Sequence, residues 1–114
     1  MEVRTMLDVF DVISEPSRRH LIQAMRQGER SVSQLAEEVG LGQPGVSKQL
    51  RIMFDAGFVN VRNEGQRRWY SLRPEPFREL GDWMNEYRHI WDARFDKLAA
   101  HLAQKKQQKE DPAP

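Results

Sequence analysis

Only three residues, Gly40, Leu41 and Gly42, separate two segments that each carry an apolar stripe at helical spacing. Upstream, Leu35, Ala36 and Val39 share one face of a short helix. Downstream, Val46, Leu50, Met53 and Gly57 fall on one side of a helix from Gln43 to Ala56, with Phe54 at its edge. Two short helices joined by so short a turn cannot lie antiparallel in full contact. They cross steeply, which predicts a helix-turn-helix. Past Gly57 the apolar period changes to two: Val59 and Val61, then Tyr70 and Leu72, alternate with polar residues. Between them Asn63-Glu64-Gly65-Gln66 reads as a turn, with Gly65 able to take a positive φ. A hairpin over residues 58–72, directly after a helix-turn-helix, reads as a wing.

The flanking segments are helical. Val3, Met6, Leu7, Phe10 and Ile13 mark a first helix, and Ser14-Glu15-Pro16-Ser17 stops and restarts the chain. A second helix to about Arg26 buries Leu21, Ile22 and Met25 and ends at Gly28. Ser31 and Gln34 have the spacing of a capping box, with Ser33 a rival cap. The last helix runs from near Pro74 or Pro76 to about Gln104, striped by Phe77, Leu80, Met84, Tyr87, Trp91, Phe95, Leu98 and Leu102. The expected fold is mainly α with a small β-hairpin: a winged helix-turn-helix of about five helices, α-α-α-α-β-β-α. Residues 1–104 form one DNA-binding and dimerisation domain, and the polar stretch 105–114 reads as a disordered tail.

Charge adds direction. The net charge is only +1, yet residues 43–74 carry six basic and two acidic side chains while the segments on either side are net acidic. A positive middle segment is what phosphate contact requires. On the fourth helix, Pro44, Ser47, Lys48, Arg51 and Asp55 collect opposite the apolar face, and Gln43 sits in the first turn. Hydroxyl, ammonium and guanidinium groups bond phosphates and guanine edges in the major groove. The same face also reads as ordinary solvated surface, and the arginine-bearing hairpin as a charge-blunted edge. The steep two-helix unit before the face, and Arg62, Arg67 and Arg68 in the hairpin after it, favour DNA. Arg18 and Arg19 are further phosphate candidates, with solvated surface the plainer reading.

The absence of cysteine excludes disulfides, thiolate metal sites and cysteine nucleophiles. Three scattered histidines and no serine-base or paired-carboxylate constellation argue against an enzyme. The N-terminus lacks the apolar stretch of a signal peptide, and no run nears the roughly 20 residues of a membrane span. The expectation is a soluble cytoplasmic protein with no cofactor.

With these features the chain resembles the ArsR (arsenic-repressor-like) family of bacterial transcription regulators. The matching residues are Ser14-Glu15-Pro16-Ser17-Arg18-Arg19 before Leu21-Ile22, VSQLAEEVGLGQPGVSKQLRIMFDAGFV over residues 32–59, Gly65 to Tyr70, and Leu72. The resemblance implies a homodimeric repressor on a palindromic operator, released by a signal such as a small-molecule effector. It also implies that Gln43, Pro44, Gly45, Ser47 and Lys48 face the groove. Gly42 stands where the family usually places a Ser or Asp cap, and Gln49 where His is frequent. The metal-sensing cysteines of the third helix have no counterpart in Gln34-Leu35-Ala36-Glu37-Glu38. The chain looks more like the branch without a known metal site, in which Pro-Glu-Pro precedes a tryptophan-rich last helix.

His89 and His101 lie twelve residues apart, about 18 Å along a helix, too far to share an ion within one chain. An intersubunit site using Asp82, Glu86 or Asp92 is the alternative, giving a metal-responsive repressor. The aromatic stripe reads either as an effector pocket or as a dimer seam. A helix of about 40 Å outruns so small a body, which favours a dimer through the first and last helices, using Met6, Phe10, Met84, Tyr87, Trp91, Phe95 and Leu98. The remaining rival is a winged helix used for protein–protein contact.

Overall fold

Helix breaks fall where capping residues, proline and glycine put them. In the computed structural model, which describes residues 6–110 except the side chains at positions 6, 7, 91, 93, 95 and 107–110, the elements run as follows. Helices α1 (Met6–Ser14) and α2 (Pro16–Ala24) precede strand β1 (Arg30–Ser31), then come α3 (Val32–Val39) and α4 (Gln43–Asp55). Strands β2 (Val59–Glu64) and β3 (Arg67–Leu72) lead into α5 (Glu75–Asn85) and α6 (Arg88–Glu110). The Glu15 carboxylate accepts from the Ser17 backbone N–H at the start of α2, with Pro16 in its first turn. Ser31 and Gln34 bond reciprocally, Gln34 N–H to Ser31 Oγ at 3.3 Å and Ser31 N–H to Gln34 Oε1 at 3.1 Å, so the capping box forms. Gly40 closes α3 at φ +71°, a left-handed position that other side chains resist.

Residues up to Leu80 make one unit and those from Gly81 a second. The first unit is built around Leu21, Leu35, Val46, Leu50, Met53 and Phe58, each fully shielded from solvent. Phe58 meets Phe77 edge-on at 5.8 Å, which ties the start of α5 to the core. Val9 and Val12 carry α1 into this core and Ile13 packs against it, whereas the stripe expected from sequence ran through Val3, Met6, Leu7, Phe10 and Ile13 and left out the two valines. The helix is apolar on two adjoining sides. The body takes the Val9–Val12 side and leaves Phe10 half-buried on the other. Val3 lies outside the described residues.

Two further differences concern β1 and the last helix. The expected order lacked β1, which at two residues is too short to carry a period. Its backbone pairs Arg30 with Tyr70 and Ser31 with Trp69, giving a three-stranded antiparallel sheet in the order β1-β3-β2. The single last helix is in fact two, making six α-helices among the described residues rather than about five. Glu86 and Tyr87 donate to the carbonyls of Trp83 and Met84, three residues back, so the α-helical ladder is interrupted there. Asn85, whose side chain competes for backbone groups, precedes the break. Helix α6 then continues through Glu110, past the expected end at Gln104. Lysine, glutamine and glutamate are good helix formers, which explains the extension. Residues 111–114 of the expected tail lie outside the described residues.

In the hairpin, Glu64 pairs with Arg67 across a two-residue loop whose first member, Gly65, has φ +61°. That is the residue order a type II′ turn demands. A Cβ at Gly65 meets nothing within 4 Å, so the cost of Gly65→Ala is conformational. It is expected to destabilise the domain by about 1–2 kcal/mol, read as a lower urea midpoint with an unchanged slope. An unchanged midpoint would contradict the turn.

Candidate nucleic-acid interface

The face of α4 turned from the core is exposed and mainly polar, with Phe54 50% exposed at its edge. Gln43, Pro44, Gly45, Ser47, Lys48, Arg51 and Asp55 are all exposed, while Val46, Leu50 and Met53 beneath them are fully buried. The apolar side chains anchor the helix and thereby aim the polar ones outward. Gly42 begins α4 without a side-chain cap, as its identity requires. Among the described residues Arg51 pairs with Asp55, one turn along, at 3.4 Å, and its side chain is 78% exposed. A surface pair of this kind holds its partners weakly, so the guanidinium is available to a stronger anion.

The wing divides its arginines between two faces, because successive side chains on a strand point to opposite sides. Arg68 shares a face with Tyr70, and both line a cleft of about 580 Å³ with Ser47, Leu50, Arg51, Phe54 and Asn63. That cleft lies between α4 and the hairpin, so Arg68 is brought to the same surface as Ser47 and Arg51. Arg67 is exposed on the other face. Arg62 also lies there, with Trp69 as its cross-strand neighbour. Its guanidinium sits 5.8 Å from the Trp69 ring centre and bonds Glu29 at 2.7 Å and Glu64 at 2.8 Å. The hydrogen bond from Arg62 lowers the Glu29 pKa below the usual carboxylate range, and the two carboxylates raise that of Arg62.

The charge of Arg62 is therefore matched inside the protein, and that of Arg68 is open to an external anion. Arg68→Ala is expected to make the salt dependence of DNA binding shallower by about 0.9 per protomer. Arg62→Ala should change it less. Equal changes, read from anisotropy titrations across salt, would contradict this division.

Sequence reasoning missed Glu29, because nothing local marks a residue whose partner lies 33 positions away. It also left Arg18 and Arg19 to phosphate or solvent, whereas the structure turns both onto backbone carbonyls at the end of α1. Of the expected dimer residues, Met84, Tyr87 and Leu98 are exposed and Phe10 is half-buried. The side chains of Met6, Trp91 and Phe95 lie outside the described residues. Among the described residues no three His, Asp or Glu side chains come together as a metal site, and no helix is long and apolar enough to cross a membrane.

Known proteins share this arrangement. Residues 15–61 match the family described as bacterial regulatory protein, arsR family. The "Transcriptional repressor SmtB homolog" of Synechocystis sp. is 30% identical over 75% of this chain and 67% of its own length. A crystal structure of a "Possible transcriptional regulator for arsenical resistance" is 32% identical, with a TM-score of 0.64 over 82% of this chain and 95% of that one. The solution structure of a homodimeric winged helix-turn-helix domain from Mycobacterium bovis shares the fold at 21% identity, with a TM-score of 0.58 over 95% of this chain and 86% of that one. The match spans 88% of the length of one curated relative and 50% of another. The α3–α4 pair joined by a three-residue turn, the outward face of α4, the wing beside it and these likenesses agree: the chain belongs to the arsR family of bacterial regulatory proteins, winged helix-turn-helix regulators of transcription.

Proposed function

We propose that this protein is a homodimeric repressor that reads a palindromic operator by placing α4 in the major groove and the wing along the flanking backbone. The observation that carries the reading is the convergence of Ser47 and Arg51 with Arg68 on one cleft, beside the exposed Gln43 and Lys48. Gln43, Pro44 and Gly45 lie in the first turn of α4, the end of a recognition helix that reaches base edges. Lys48, Arg51, Arg67 and Arg68 supply charge for phosphates, with at least one of Lys48 and Arg51 on the backbone. Dimerisation is supported by the homodimeric relative of the same fold and by exposed Met84, Tyr87, Ile90, Leu98 and Leu102 beyond Gly81. Acting on chromosomal DNA places the protein in the cytoplasm. Release by a small-molecule effector, which the family resemblance implies, completes the reading.

Selection of bound duplexes from a random pool tests it. The expected result is an inverted repeat with half-sites about 10–10.5 base pairs apart, one turn of DNA. With about six phosphates neutralised, log K should fall with a slope near −5 against log salt. Enrichment of no sequence, with a shallow salt dependence, would leave a protein-binding winged helix in its place.

A further inference from the structure

The last four carbonyls of any α-helix lack partners within it. In α1 these belong to Asp11, Val12, Ile13 and Ser14, and two arginines from α2 take all of them. Arg19 Nη1 donates to Ile13 O at 2.7 Å and Ser14 O at 3.0 Å. Arg18 donates from Nε to Val12 O and from Nη2 to Asp11 O, both at 2.8 Å. Guanidinium charge at a helix C-terminus also complements the dipole. Arg19 ends there. Arg18 does not: its third nitrogen, Nη1, donates at 3.1 Å to Oε1 of Gln49, on α4.

Gln49 lies on α4 between the buried row of Val46, Leu50 and Met53 and the outward row of Ser47, Lys48 and Arg51, and is itself half-buried. Apolar burial holds α4 to the body but carries little direction. A hydrogen bond to a planar guanidinium, itself fixed by two carbonyls, does carry direction. The need is real, because Gly42 gives the first turn of α4 no side-chain cap. The bond also weighs against a base-reading role for Gln49. A bidentate adenine contact uses both the donor and the acceptor of the amide, and it would have to compete with Arg18 for the orientation of that amide.

We infer that Gln49 is a positioning residue of the recognition helix, and that Arg18 is the strut through which the C-terminal end of α1 sets the angle at which α4 meets DNA. The inference rests on the DNA-reading role proposed above and adds how that role is made specific. Because one guanidinium bonds both helices, a shift of α1 is transmitted to α4 through a rigid planar group. Neither Arg18 nor Gln49 then touches phosphate or base.

The test compares wild type with Gln49→Met, Arg18→Lys and the double variant, on the selected operator, on its single-base-pair variants and on random duplex. Gln49→Met keeps the length of the side chain and leaves both bonds from Arg18 to α1 in place, so folding is retained and is checked by the thermal midpoint. Operator affinity is expected to fall about tenfold, with random-duplex affinity and the salt slope unchanged. The loss of discrimination should spread across the half-site. Arg18→Lys, whose ammonium cannot span three acceptors, should lose as much, and the double variant no more than either. A loss confined to one base pair makes Gln49 a base reader, and a slope shallower by about 0.9 per protomer in a further variant, Arg18→Gln, which removes the charge, makes Arg18 a phosphate ligand. Either result, additive losses, or a Gln49→Met variant that binds like wild type overturns the inference and leaves the DNA-reading role standing. A wild-type protein that binds selected and random duplexes alike defeats both.

Discussion

Replacing Lys48 and Arg51 together by alanine is expected to weaken operator binding about a thousand-fold while the fold and the dimer persist. Both side chains are exposed, and the packing of α4 onto the body rests on Val46, Leu50 and Met53. The intramolecular partner lost is the Arg51–Asp55 surface pair, worth about 0.3–0.5 kcal/mol. A dimer loses four DNA contacts, and at about 1 kcal/mol each the total of about 4 kcal/mol is a thousand-fold in affinity. Salt separates the roles: loss of phosphate contacts makes the slope shallower, and loss of base contacts leaves it unchanged. Operator binding equal to wild type, measured by anisotropy, would remove this face of α4 as the reading surface.

The second large effect is expected at the seam. Leu98→Glu should raise the dimer dissociation constant at least about a hundred-fold, because a symmetric interface receives two carboxylates in an apolar setting that does not solvate them. Leu98 is 50% exposed in the single chain and Leu102 55%, so their apolar surface is available to a second copy. Leu98 belongs to the unit beyond Gly81, outside the core around Leu50 and Phe58. Its replacement should therefore leave the single chain folded, read as an unchanged helical circular dichroism signal, while the thermal midpoint falls by the stabilisation the dimer supplied. Operator affinity should drop to that of one half-site. Sedimentation equilibrium reads the first effect, and a dimer as tight as wild type would place the seam elsewhere.

The sequence carried the fold wherever a rule is local. Ser31 and Gln34 declare a capping box at a separation of three residues, and Gly40 and Gly65 stand where only a left-handed backbone fits. The apolar face of α4 was legible because Val46, Leu50 and Met53 repeat at helical spacing. What was not legible depends on distant pairings. Strand β1 exists only because β3 offers it an edge, and no period can mark two residues. Helix α1 has apolar residues on two adjoining sides, so periodicity alone could not say that Val9 and Val12, rather than Phe10, enter the core. Phe77 to Leu102 kept a helical stripe through the break at Glu86 and Tyr87, and the stripe concealed the break. Within the interface, Lys48 and Arg51 could be placed on the outer face from sequence. That Arg62 is matched by Glu29, and Arg18 by Gln49, needed the tertiary structure, since the partners lie 33 and 31 residues away.

The most direct measurement is dimethyl sulfate footprinting of the selected duplex, because the reagent methylates guanine N7 in the major groove and adenine N3 in the minor. With α4 of each protomer in the major groove, guanine N7 should be protected in two clusters about one helical turn apart. Guanine N7 atoms left fully reactive across a duplex saturated with protein would contradict the account.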